Sequence, residues 1–167
     1  MRDDRGVLTR IDGGVLMPPK GPLAGRLGYL LGALRVIFTT QRIDALAIES
    51  AFVHVNPATA LVLGQARGLP IALAAERGLP VREYAPALVK RNVVGRGRAT
   101  KEQVRHMVSA QLRLSVLPPE DEADALAVAI TDRRQHGVPG ADVELPKTAA
   151  RLQYEAALKA ANSRKKR

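Results

Sequence analysis

The chain has no cysteine, no tryptophan, and only two phenylalanines and three tyrosines in 167 residues. The first absence excludes disulfides and thiolate metal sites, which suits the cytoplasm. The scarcity of aromatics leaves a core of Ala, Leu and Val, which needs many closely packed helices and few bulky plugs. Acidic residues are also few, 16 against 26 Lys and Arg, so the net charge is +10. That excess favours a polyanionic partner, because each phosphate contact releases condensed counterions. Nucleic acid and an anionic membrane surface both fit, but no uninterrupted apolar span long enough for a bilayer is expected. The opening Met1-Arg2-Asp3-Asp4-Arg5 does not resemble a signal peptide. No internal repeat is visible, and His54, His106 and His136 are not at metal-ligand spacing.

Hydrophobic residues make up 46% of the chain, enough for one domain over residues 1–136. Residues 137–167 read as a basic tail, with a short helix around 147–161 before Arg164-Lys165-Lys166-Arg167. Along the domain, residues 6–17 alternate weakly around Gly13-Gly14, predicting two short strands or one strand with a bulge, the second part at Val15-Leu16-Met17. Leu23, Leu27, Leu30, Leu31, Leu34 and Ile37 then repeat at helical spacing over about 22–41. The apolar run Ala45-Leu46-Ala47-Ile48 predicts a strand buried on both faces, with Glu49 at its exit.

Asn56-Pro57 is a helix start, an N-cap followed by proline, for a helix reaching about Gly78. Its Ala and Gly content lets another helix approach closely, in the core or across a dimer interface. A strand over 80–84 and a short helix over 86–93 follow, then the loop Gly95-Arg96-Gly97-Arg98. Thr100 and Gln103 have capping-box spacing for a helix to about Leu114. The last core helix opens at Glu120, with Leu126, Ala127 and Ile130 facing inward. Strands separated by helices predict an α/β fold, a mixed sheet with helices on both faces.

Glu49 at a strand exit is either a solvated acid or the holder of a cation, since an unpaired buried carboxylate is costly. Asp121 and Asp124, three apart on one helix, can face one point, although acids also gather in first turns because the helix dipole favours them. Three oxygen ligands from separate elements suit Mg²⁺ or Mn²⁺, and two such ions about 4 Å apart hydrolyse phosphodiesters. From Arg82 to Arg105 seven basic residues (Arg82, Lys90, Arg91, Arg96, Arg98, Lys101, Arg105) face only Glu83 and Glu102. The Gly-Arg-Gly-Arg loop within them suits phosphate contact, the glycines letting backbone approach while the arginines bind. Phe52, just after Glu49, either folds onto the core or stacks on an unpaired base.

Several ordered blocks together resemble the RuvC family of Holliday-junction resolvases. They are Ala47-Ile48-Glu49 with Phe52, Asn56 through Leu63-Gly64-Gln65-Ala66-Arg67-Gly68, and Glu83-Tyr84-Ala85. Val89-Lys90, Val93-Val94-Gly95 and Lys101-Glu102-Gln103-Val104 with His106-Met107-Val108 continue the match, which ends with Asp121-Glu122-Ala123-Asp124-Ala125-Leu126-Ala127. The resemblance covers about residues 10–132. It implies a ribonuclease-H-like fold, a homodimer and a divalent-metal endonuclease that nicks four-way DNA junctions symmetrically. It also implies the branch-migration proteins RuvA and RuvB as partners.

By that resemblance Glu49, Asp121 and Asp124 are active-site carboxylates and metal ligands, and Lys101 stabilises developing charge. Phe52 looks like the aromatic at the opened junction centre, and Lys90 and Lys101 match basic residues near the scissile backbone; Arg91, Arg96 and Arg98 are expected to bind DNA from the basic segment itself. The family begins with a strand carrying a Gly-Ile-Asp-Pro-Gly-type motif, which this chain lacks. Asp3-Asp4 have no apolar strand around them, and Asp12-Gly13-Gly14 falls where a later family strand lies. The expectation is therefore a chain that starts inside the second strand, either from a start site set too far downstream or as a degenerate copy. Two other readings share the fold, a junction-binding dimer that does not cleave and a ribonuclease-H-like nuclease acting on RNA.

Overall fold

The computed structural model describes residues 2–4, 7–50 and 56–137. Phe52, His54 and the helix and basic cluster expected within the tail lie outside the described residues. In chain order the elements are β1 (Arg2–Asp4), β2 (Val7–Thr9), α1 (Leu23–Thr40), β3 (Leu46–Glu49), α2 (Pro57–Glu76), β4 (Val81–Tyr84), α3 (Pro86–Val94), α4 (Lys101–Gln111) and α5 (Glu120–His136).

β3 and β4 pair in parallel, Leu46 beside Val81 and Glu49 beside Tyr84, with α2 as the crossover. Parallel neighbours in register share a face, so the alternation along these four residues assigns every side chain. Leu46 and Val81 face α1 and α2, where Phe38, Leu73 and Ala74 are buried. Ala47 and Tyr84 face α3, α4 and α5, whose core includes Val89, Val108, Leu126 and Ile130. Helices thus cover both faces of the parallel pair. The expected antiparallel pairing is also present, but in a separate two-stranded sheet, β1 with β2. Among the described residues no strand joins the two sheets.

Two helix starts follow the capping logic of the sequence. Asn56 Oδ1 accepts from the Ala58 amide at 2.8 Å, with Pro57 at the first helical position. Thr100 Oγ1 accepts from the Gln103 amide at 3.2 Å, and Gln103 Oε1 accepts from the Thr100 amide at 3.1 Å. On α5 the expected inward stripe is buried, Leu126, Ala127 and Ile130 together with Ala123 and Val128.

Three expectations require correction. The first hairpin lies earlier than predicted: Asp3 and Asp4 are on β1, and Val15, Leu16 and Met17 are exposed and outside any strand. Pairing decides this, because Asp3 pairs with Leu8, while among the described residues no strand neighbours residues 15–17 to complete their hydrogen bonds. On α1, Leu23 through Leu34 turn inward as expected, but Phe38 rather than Ile37 closes the buried end. On α2, for which a core and a dimer interface were both open, Leu73 and Ala74 are buried while Leu61 and Leu63 are exposed. Finally, by length and composition α2 is long and apolar enough to cross a membrane, contrary to the reading from uninterrupted runs. Its packing against α1 and its arginine tied to the sheet give it a different setting.

Candidate active site

Glu49 is the last residue of β3, and its position in the alternation points it to the α5 side of the sheet. α5 starts there after Pro119, with Glu120, Asp121 and Glu122 in its first turn. The buried stripe of α5 fixes its rotation, leaving Asp121 exposed and Asp124 half-buried. Glu49 and Asp124 are thereby made electrostatic neighbours. Burial first, and then repulsion from Asp124, raise the Glu49 pKa, while Lys90, Lys101 and Arg67 oppose the rise. Burial likewise raises Asp124, with Glu120 and Asp121 adding repulsion and Lys101 and Lys90 opposing it.

Lys101, the first residue of α4, is exposed and ion-paired with Glu120. That hydrogen bond and the nearby Asp124 and Asp121 raise its pKa, so the ammonium is kept. The same contact lowers the Glu120 pKa. Among the described residues no three carboxylate, imidazole or thiol groups gather closely enough to hold a metal ion. The expected triad is therefore a neighbouring pair, Glu49 and Asp124, with Asp121 one helical turn away. An oxygen-only pair whose charges are held together against burial and repulsion fits a hard divalent cation, which relieves both.

Several supporting contacts carried no signal in the sequence. Arg10 reaches the buried Glu122 at 2.6 Å and donates to the Gly13 carbonyl at 2.9 Å, tying the segment after β2 to the start of α5. Arg82 donates to both Asp132 oxygens at 3.1 Å, and the Tyr84 hydroxyl donates to Asp132 at 2.6 Å. Burial and that hydrogen bond raise the Tyr84 pKa. This network pins α5 to β4 two turns beyond Asp124. Arg67, on α2, donates to the Glu49 carbonyl and pairs with Glu83 at 2.8 Å. Its only sequence trace was a place in the quoted Gly64–Gly68 block, with no role attached.

The basic segment divides in two. Arg82 is committed to Asp132, and Arg105 Nε donates to the Pro118 carbonyl, so both are structural rather than part of an open basic surface. Arg91, Arg96, Arg98 and Lys101 are exposed and Lys90 half-exposed. The two loop glycines have local reasons. Gly95 caps α3 at φ 88°, a left-handed conformation that disfavours side chains. A Cβ on Gly97 would stand 3.3 Å from the Ala87 carbonyl oxygen, so the loop closes against the start of α3.

Comparison with known proteins gives a consistent result. A family model described as crossover junction endodeoxyribonuclease RuvC matches residues 1–132. The crossover junction endodeoxyribonuclease RuvC of Halorhodospira halophila is 44% identical over 138 residues, 81% of this chain and 83% of the relative. That of an Azoarcus species is 47% identical over 133 residues, 80% of this chain and 72% of the relative. Among solved structures, Thermus thermophilus RuvC aligns with a TM-score of 0.62 at 36% identity, over 72% of this chain and 75% of that one. Thermus thermophilus RuvC in complex with a Holliday junction substrate aligns equally well, at 37% identity over 69% and 70% of the two chains.

Proposed function

The chain belongs to the RuvC family of crossover junction endodeoxyribonucleases, and from that premise we propose that it resolves four-way DNA junctions by paired nicks. The observation that carries the proposal is the pair Glu49 and Asp124, placed by β3 and α5 with lysines at its rim. Glu49 and Asp124, with Asp121 beside them, would hold Mg²⁺ or Mn²⁺, two ions per site. When bound, such ions supply an activated water and Lewis-acid stabilisation of an in-line displacement. Lys101 approaches the same carboxylates from α4, where its ammonium meets charge developing on a phosphoryl oxygen.

Lys90, Arg91, Arg96 and Arg98 bind phosphates on either side and hold the strand in place, carrying register rather than sequence. Phe52 follows Glu49 in the chain and stacks on a base at the opened centre. Symmetric nicks need two such sites, and the exposed Leu61 and Leu63 of α2 give an apolar surface for a second copy of the chain. Residues 1–136 form the catalytic domain and 137–167 a basic tail. RuvA and RuvB are the expected partners in branch migration, and the work belongs where the chromosome is, in the cytoplasm.

The test is cleavage of a mobile four-way DNA junction beside an RNA hairpin, with Mg²⁺ and with chelator. Metal-dependent nicking of the junction alone is expected, abolished by Glu49→Gln while junction binding persists. Binding without nicking would make the protein a non-cleaving junction binder, and nicking of the hairpin would make it an RNA nuclease.

A further inference from the structure

α2 is apolar along most of its length, and Arg67 is its one charge between the N-cap and Glu76. A lone guanidinium on such a helix is drawn to whatever acceptors the neighbouring element offers, and here there are two. Ile48 and Glu83 are side by side in the parallel register, so Glu83 points to the α2 face while Glu49 points to the opposite, α5 face. Arg67 meets Glu83 at 2.8 Å with one arm and donates to the backbone carbonyl of Glu49 with another. Its side chain is only 19% exposed, well inside the structure for a residue of this kind.

The geometry is that of a clamp at a strand end. Beyond Glu49, among the described residues, the sheet continues in a hydrogen bond from the Ser50 amide to the Tyr84 carbonyl at 2.9 Å. Arg67 holds the other side of the same peptide unit, at the point where strand becomes loop. It also sits beneath the carboxylate, contributing positive charge from the face away from α5. Lys90 and Lys101 supply charge too, Lys101 from an exposed position at the start of α4 where it pairs with Glu120.

We propose that Arg67 is a positioning residue for Glu49, fixing the strand-end peptide so that its carboxylate stays opposite Asp124. The inference rests on the reading of Glu49 as a catalytic carboxylate, but the clamp itself can be tested apart from catalysis. Lysine keeps the charge yet has no planar fork to span a carbonyl and a carboxylate together. Arg67→Lys is therefore the informative variant, and Glu83→Gln, which removes the ion pair but leaves the Glu49 carbonyl contact, is its mild companion.

Two measurements on the full chain decide the matter. Native-state amide exchange at Ser50 should speed up about tenfold or more in Arg67→Lys, while Val108 in the α4 core keeps its protection. Junction cleavage at saturating substrate should fall about tenfold or more, a small displacement of a reacting group being sufficient for that, with junction affinity in chelator within about twofold. Glu83→Gln should move both quantities in the same direction by less. Unchanged Ser50 exchange in both variants would overturn the proposal, as would junction affinity falling in step with cleavage, which would make Arg67 a DNA contact. Loss of protection at Val108 as well as Ser50 in both variants would overturn it too, in favour of a general structural role. If the parent chain cuts no junction, the reading of Glu49 fails while Ser50 exchange still decides whether Arg67 holds the strand end.

Discussion

Burial raises the carboxyl pKa of both Glu49 and Asp124, and Asp124 adds repulsion at Glu49. Both folded-state pKa values are raised above their unfolded ones, so the pair's contribution is fully present below the unfolded values and is lost as pH rises through the raised ones. Removing one charge should help the metal-free protein at neutral pH. Both groups retain solvent contact, so screening holds the effect to about 0.5 kcal/mol, or about 1–2 °C in Tm. Glu49→Gln in chelator should therefore melt slightly above the parent at pH 7.5, the gap closing near pH 4 and on adding Mg²⁺. A lower Tm for Glu49→Gln at pH 7.5 would mean that the carboxylate is stabilised in place. Residue types made each acid visible as a candidate, one at a strand exit and others on a helix start, while their grouping into one site was implied by the family resemblance. Arg67 was not legible, because its partners are chosen by the register of β3 on β4 and by the face that α2 presents.

At the scale of elements, helices were read well and hairpins poorly. Caps are local chemistry, so Asn56-Pro57 and Thr100 with Gln103 announced α2 and α4 within a residue or so. The β1–β2 pairing depends on which stretch finds a partner, and alternation around Gly13-Gly14 carried no such information. Charge along 82–105 was misread for a similar reason, a count along the chain being blind to Arg82 turning under the sheet to Asp132. The two kinds of arginine should separate experimentally. Replacing Arg96 and Arg98 together should flatten the log–log salt dependence of junction binding by about two units. Arg82→Gln should leave that slope alone and instead destabilise the fold by about 1–3 kcal/mol, leaving the nearly buried Asp132 carboxylate without its cation and with the Tyr84 hydroxyl as donor. A change of slope with Arg82→Gln would return it to the DNA surface.

Over the whole molecule, composition foresaw the packing style but not its distribution. A core poor in aromatics is indeed built by helices, yet it is split by the β3–β4 pair into a larger cluster under α3, α4 and α5 and a smaller one under α1 and α2. That division orders events in time. The larger cluster draws on consecutive helices from residue 84 onward, so its loops close over short separations and its contacts form early. The smaller one waits for a parallel strand pair joined by the whole of α2, the slower kind of closure. Val108→Ala should therefore slow refolding, with a φ-value of about 0.5–0.8, whereas Leu73→Ala should act through faster unfolding, with φ about 0–0.3. Equal values in stopped-flow chevrons would mean that the two clusters condense together. With the expected values, the chain assembles the helical floor that carries Asp121 and Asp124 before the strand that carries Glu49 docks onto it.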